Sequence, residues 1–158
     1  MAQKSHPTGS LHTLNVADEL ATMQPPLQVV VVSPARPLHE GAASYLQVKT
    51  PQGQLGIWPR HTDLVSGLGI GLIRVGNAKG GEERFAAWGG FLKVTGNKVT
   101  VLVDQAVRES EAKEQEPAIR KELETVLAQL RHPASDEQFT ELLDQRLWCQ
   151  SRLRLAGM

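Results

Sequence analysis

Between Leu27 and Asp104 the chain alternates short β-branched or apolar–polar runs with Gly, Pro and Asn, a pattern that predicts strands joined by tight turns. "LQVVVVS" (27–33) opens the series, and Pro34 and Pro37 mark its end because proline donates no ladder hydrogen bond. In "ASYLQVKT" (43–50), Tyr45, Gln47 and Lys49 share one parity and Leu46 and Val48 the other, which predicts one wet face and one dry. "PQGQ" turns the chain into "LGIW", and "PRHTD" is a loop whose Pro59 and Asp63 are turn formers. "DLVSGLGIGLIRV" holds two further short strands, and "NAKGG" (77–81) closes a hairpin. In "FLKVTGNKVTVLV" (91–103), Leu92 and Val94 alternate with Phe91, Lys93 and Thr95, while Val99, Val101 and Val103 alternate with Thr100 and Leu102. Gly96 and Asn97 between these runs tolerate positive φ and predict a tight hairpin turn. Eight or more short strands in one stretch point to a sandwich or flattened barrel.

After Asp104 the alternation stops. "QAVRESEAKEQE" (105–116) is charged and reads as a linker that can hinge over 108–116. Pro117 suits the first turn of a helix on which Ile119, Leu123, Val126, Leu127 and Leu130 recur at helical spacing, and His132 and Pro133 end it. Ser135 with Gln138 makes a capping-box pattern, Asp136 and Glu137 suit a helix start, and Phe139, Leu142, Leu143 and Leu147 form a second apolar stripe ending near Arg152 and Arg154. The short connection predicts an antiparallel two-helix hairpin, which buries too little alone and must dock on something. It reads either as a fixed packing element or as a movable regulatory arm. The chain thus divides into a mobile N-terminal extension (1–26), a β-sandwich domain (27–105) and a helical hairpin domain (106–158).

Composition narrows the core and the partners. Hydrophobic residues make up 41% but aromatics only 4%, so the core must be built from Val, Leu, Ile and Ala. Seventeen acidic residues balance seventeen basic ones, which leaves no global field to draw the chain onto nucleic acid or anionic lipid. The single cysteine, Cys149, reads as a small buried hydrophobe in a reducing compartment. No apolar run approaches the roughly 18 residues of a spanning helix. The polar first 26 residues lack the apolar stretch and cleavage site of a secretory signal.

Catalytic constellations are sparse. "GLGIG" (67–71) lacks the GxGxxG spacing and opens no helix, and no His or Cys pair has metal-ligand spacing, so neither a cofactor nor a metal is expected. His61, Asp63 and Ser66 fall close in sequence, but one turn-rich loop seldom supplies a triad, and they read as a polar loop capping backbone groups rather than as a hydrolase centre. Trp88 before Gly89-Gly90 reads as a core ring, and Trp58 is balanced between exposed and packed.

Two segments carry a resemblance. "GQLGIWPRHTDLVSGLGIGLIRV" (53–75) and "AAWGGFLKVTGNKVTVLVDQAVRESE" (86–111) resemble the epsilon subunit of F-type ATP synthases, whose members carry a GELGI-PGHAPLL-like loop and a GGF-EV-GN-VT-LAD-A-like hairpin. The resemblance covers about residues 27–112, with the helical tail similar in architecture. It implies a β sandwich of about ten short strands followed by a helical hairpin. It also implies a non-catalytic rotor subunit of the central stalk, peripheral on the cytoplasmic face of the bacterial inner membrane.

The partners it implies are the gamma subunit, the membrane c-ring and, through the C-terminal helices, the catalytic alpha and beta subunits, whose ATP hydrolysis those helices can inhibit. On this sequence the ring-facing loop falls on Gly53, Gln54, Leu55, Pro59, Arg60 and His61, and the sandwich hairpin on Gly89, Gly90, Gly96 and Asn97. Basic candidates on the inhibitory arm are Arg120, Lys121, Arg131, Arg146, Arg152 and Arg154.

Departures qualify the likeness. Gln54 stands where an acid is common, which turns a salt bridge with a basic ring residue into a neutral hydrogen bond, and Arg60 replaces a usual glycine and brings a compensating charge. Trp88 replaces a smaller residue. "ESEAKEQEPAIRKELE" (109–124) lacks the Ile/Leu-Asp-x-x-Arg-Ala motif through which some members bind ATP, so no ATP sensing is expected. With the extension, these departures raise an alternate, sodium-linked version of the enzyme as one reading. A free-standing β-sandwich binding module with a fixed dimerisation hairpin is the alternative.

Overall fold

The computed structural model describes residues 25–158; the extension predicted for 1–26 lies outside the described residues except for Pro25 and Pro26. Eight strands precede two helices: β1 (Leu27–Val32), β2 (Pro37–Ala43), β3 (Tyr45–Thr50), β4 (Gly53–Ile57), β5 (Leu64–Gly67), β6 (Ile70–Gly76), β7 (Glu82–Thr95), β8 (Lys98–Arg108), α1 (Glu109–Leu130) and α2 (Asp136–Ala156). Hydrogen bonding runs β2-β1-β8-β7-β6-β3-β4, with β5 added to β7. All pairings are antiparallel except β1 with β8.

The sheet becomes a sandwich because of β7. Its first half pairs with β6 through Trp88, its second half pairs with β5 from Phe91 onward, and β8 follows both halves. The change of partner falls at Gly89 and Gly90, with φ of 69° and 119°. A Cβ on Gly90 would lie 1.9 Å from the Leu102 carbonyl oxygen, so only glycine lets β7 bend this close to β8. One 14-residue strand therefore serves two layers, and eight strands are described where the resemblance implied about ten.

The predicted alternation is realised. Leu46 and Val48 are buried while Lys49 is exposed, and Leu92, Val94, Val99, Val101 and Val103 all face the core. That core is aliphatic, with Phe85 its one aromatic ring. In place of ending a strand, Pro37 opens β2 opposite Val32, at a register shift where no ladder donor is required.

The helical boundary differs more. β8 continues to Arg108 and α1 begins at Glu109, so in this conformation the charged 108–116 segment is the strand end and the first turns of the helix rather than a linker. Its Glu, Ala, Lys and Gln residues are good helix formers, Glu109 and Glu111 sit on the positive end of the dipole, and the Arg108 backbone N–H donates to the Glu111 carboxylate at 3.0 Å. Pro117 lies inside α1 rather than at its start. It leaves the Lys113 carbonyl without its helical donor, which is tolerable because both residues face solvent. α2 starts as predicted, with the Gln138 N–H donating to the Ser135 hydroxyl at 3.1 Å. It docks on the sandwich by packing Trp148, Leu155 and Ala156 against Ala86, with Ile70, Leu72, Trp88 and Val107 alongside.

Candidate functional site

Two segments far apart in sequence meet at one end of the sandwich. The loop after β4 turns through a hydrogen bond from the His61 N–H to the Trp58 carbonyl, 3.1 Å, and the β7–β8 turn lies beside it. The Arg60 N–H donates to the Asn97 side-chain oxygen at 2.8 Å, and the Gly96 N–H donates to the Asp63 carboxylate at 2.9 Å. Each segment thus supplies one acceptor side chain and one backbone donor to the other. The Gln28 N–H also donates to the Asn97 carbonyl, 2.8 Å, which ties the turn to the start of β1.

Arg60 is the one non-glycine residue with positive φ among the described residues, at 66°. An L-residue in the left-handed region costs about 1–2 kcal/mol relative to glycine, and the Asn97 bond offsets part of that cost. The glycine usual at this place in the resemblance matches this backbone conformation. The neighbouring Trp58 is 52% exposed and folds over Gly56, where a Cβ would lie 2.2 Å from its ring. It stacks on Tyr45 at 6.2 Å, and the Tyr45 hydroxyl donates to Glu82. Burial and that hydrogen bond push the Tyr45 phenol above its ordinary pKa.

The remaining loop candidates lie elsewhere. Gly53, Gln54 and Leu55 occupy the first part of β4, opposite Thr50, Lys49 and Val48, while Pro59–His61 follows its last residue, Ile57. The β3–β4 turn at that first end faces α2, sharing a cleft with Asp144 and Leu147. Arg60 therefore stands at the opposite end of β4 from Gln54 and does not replace its missing acid in place. Gly89 and Gly90 sit at the β7 bend, apart from the Gly96–Asn97 turn.

The outward face of the second layer carries apolar residues that the alternation places there. Phe91 is 65% exposed and pairs directly with Leu102, 52% exposed, which also neighbours Val32; Val65, 70% exposed, lies opposite Lys93. Contiguous exposed apolar side chains of this kind mark interaction surfaces.

The helical cations fall into two groups. Arg120 pairs with Glu116 on the solvent face, and Lys121, Arg131 and Arg154 are exposed. Arg146 is half-buried, with its Nε hydrogen bonding to nothing among the described residues. Arg152 is buried between the helices: it pairs with Glu122 at 2.9 Å, lies over the Trp148 ring at 5.0 Å and donates to the Cys149 sulfur. As an inhibitory-arm candidate it is therefore turned inward in this conformation. Cys149 is fully buried, and its thiol pKa is raised by burial and by Glu122. Trp148 in turn meets Trp88 at 5.9 Å, so Trp88 is packed but half-buried at the seam between hairpin and sandwich rather than a ring of the sandwich core.

An ion-pair cluster, not legible in sequence, pins the β8–α1 junction. Glu83 accepts from His39 at 2.7 Å and from Arg108 at 3.1 Å, Arg36 pairs with Glu111, and Arg84 with Glu109. Burial works to raise the Glu111 pKa, but the Arg108 N–H and the Arg36 guanidinium outweigh it and hold the carboxyl below its ordinary value. The Lys113 hydrogen bond holds Glu109 low as well, against a smaller opposing effect of burial, with Arg84 adding to the lowering.

The residues of "HTDLVS" are directed to separate backbone groups. His61 Nδ1 bonds the Thr62 carbonyl, Asp63 accepts from Gly96, and Ser66 donates to the Gly67 carbonyl. They form no relay. "GLGIG" is backbone architecture, with the Gly69 N–H donating to the Lys49 carbonyl and the Gly69 carbonyl accepting from Gly89.

Comparison with known proteins agrees with this geometry. Residues 26–109 match the family model for the ATP synthase delta/epsilon chain β-sandwich domain. The ATP synthase epsilon chain of Neisseria meningitidis serogroup A is 43% identical over 88 residues, covering 54% of this chain and 61% of that protein. That of Bordetella petrii is 40% identical over 88 residues, covering 56% and 62%. The chain thus spans about three fifths of the length of the curated relatives it matches.

Among solved structures, a chain of the Euglena gracilis mitochondrial ATP synthase aligns with a TM-score of 0.72 at 18% identity, covering 84% of this chain and 82% of that one. A chain of the Tetrahymena thermophila mitochondrial ATP synthase central stalk and c-ring aligns with a TM-score of 0.58 at 13% identity, covering 83% and 96%. At these identities the structural likeness speaks for the fold.

Proposed function

Because the chain belongs to the delta/epsilon chain family of ATP synthases, we propose that it is a non-catalytic central-stalk subunit that couples a membrane ring to a gamma-like rotor shaft. The observation that carries this reading is the mutual clamp between Arg60, Asp63, Gly96 and Asn97. A piece that transmits torque needs a loop of fixed shape, and reciprocal side-chain-to-backbone bonds supply one. The loop Pro59–His61 is the ring-facing contact, and Gly53, Gln54 and Leu55, at the start of β4 and its opposite end, form a separate second contact. The exposed Phe91, Leu102 and Val65 face is where the gamma-like partner lies, since burying such a face is the ordinary driving force for a lasting interface.

The helical hairpin is the regulatory arm of this subunit. In the described conformation it lies down on β6 and β7 through Trp148, Leu155 and Ala156. Its inhibitory form presents the exposed cations Arg120, Lys121, Arg131 and Arg154 to the alpha and beta subunits. The protein is peripheral, on the cytoplasmic face of the bacterial inner membrane. No helix among the described residues is long and apolar enough to cross a membrane.

Weakening the docked state tests the arm. Trp148→Ala removes the Trp88 contact and shifts the assembled enzyme toward the extended arm, so ATP hydrolysis falls several-fold relative to the unmodified complex. Unchanged hydrolysis, with the complex intact, would remove the inhibitory role.

A further inference from the structure

We propose that the clamped end of the sandwich binds an acidic polypeptide loop, with Arg60 as the residue that selects for a carboxylate. This rests on the central-stalk reading and deepens it by giving the chemistry of the partner at that end.

The starting point is the backbone of Arg60. A long β-unbranched cation occupies a conformation that favours glycine, and the surrounding structure maintains it there through the Asn97 bond. Strain held in place by neighbours points to a use for the side chain. Among the described residues the Arg60 guanidinium makes no hydrogen bond or ion pair, and the residue is exposed, so its planar donor fork is free for a ligand. A carboxylate matches that fork with two parallel hydrogen bonds.

The surroundings fit the same ligand. Lys98, exposed beside the turn, adds a second cation. The one carboxylate in the two clamped segments, Asp63, has an oxygen already committed to the Gly96 N–H. Half-exposed Trp58 gives a flat apolar neighbour for the stem of an incoming side chain. A lipid surface is disfavoured, because stable attraction to anionic headgroups takes a cluster of about four to eight cations and only two are present here. The small net charge of this end suits a single protein loop bearing one or two acids.

The test uses the full chain with two probes: immobilised tetraglutamate, with tetraglutamine as its neutral match, and phosphatidylglycerol vesicles. The expected result is retention on tetraglutamate at low salt and release as salt rises. Arg60→Gln should weaken that retention about fivefold and Lys98→Gln by less, while Lys113→Gln, an exposed cation early in α1, should leave it unchanged. Arg60→Gly should also raise Tm by about 2–4 °C through relief of the left-handed backbone, showing that loss of binding is not loss of fold.

Equal retention on the two peptides, retention indifferent to Arg60→Gln, or binding to vesicles without binding to tetraglutamate would each overturn the proposal. Failure of the chain to co-purify with other stalk subunits, with tetraglutamate selectivity intact, would overturn the central-stalk reading and leave the carboxylate assignment standing.

Discussion

Gly90 shows how one absent methyl group shapes the fold. At φ 119° a side chain would meet the Leu102 carbonyl oxygen and carbon and the Val103 Cα, all backbone atoms that no rotamer change can move. Gly90→Ala should therefore cost about 2–4 kcal/mol, combining left-handed strain with separation of β7 from β8. Urea unfolding that shifts by less than 0.5 kcal/mol would contradict the account of the β7 bend. Asn97 acts more gently. Removing its side-chain acceptor with Asn97→Ala leaves the Arg60 N–H near solvent, so stability should fall by about 1 kcal/mol, read by the same unfolding measurement.

The Gly96–Asn97 turn was legible in sequence because glycine supplies positive φ; Gly96 takes it at 60°, while Asn97 stays at negative φ. Their bonds to Asp63 and Arg60 were not legible, since they join positions more than thirty residues apart and no local pattern encodes such a pairing.

Among elements, α1 differs most from the sequence pattern, and the cause is an ambiguity of charge. A run such as "RESEAKEQE" suits a solvated linker and a solvent-facing helix start equally well; what decides is the set of partners waiting in the β1–β2 loop, on β7 and at the end of β8. Arg36, Arg84 and Arg108 meet Glu111, Glu109 and Glu83 there. The period-2 alternation of β7 and β8, by contrast, passes directly into burial, because a strand face has only two choices.

The junction predicts an acid dependence. Glu109 and Glu111 both titrate below their ordinary value in the folded state, so their contribution is present above the unfolded carboxylate pKa and is lost as pH falls through the lowered folded values. Stability should decline between about pH 5 and pH 3, and the double variant Glu109→Gln with Glu111→Gln should flatten that decline. A variant with the same pH profile as the unmodified protein would assign the acid loss elsewhere. The seam between α1 and α2 has its own test. Glu122→Ala strands the buried Arg152 and should cost about 1–3 kcal/mol, part of which Arg152→Met on the same background should recover.

On the central-stalk reading proposed above, the function of the whole molecule rests on three surfaces: a clamped polar end, an apolar outer sheet face and a helical hairpin held by two tryptophans. Formal charge of zero leaves long-range steering weak, so assembly depends on these local fits. The measurement that tests the central claim most directly is affinity purification of the full chain, tagged, from its own detergent-solubilised membranes, with the subunits identified and counted by mass spectrometry. The central-stalk account predicts one copy of this chain per complex, together with a gamma-like shaft and the ring. Recovery of a homodimer without those subunits would contradict it.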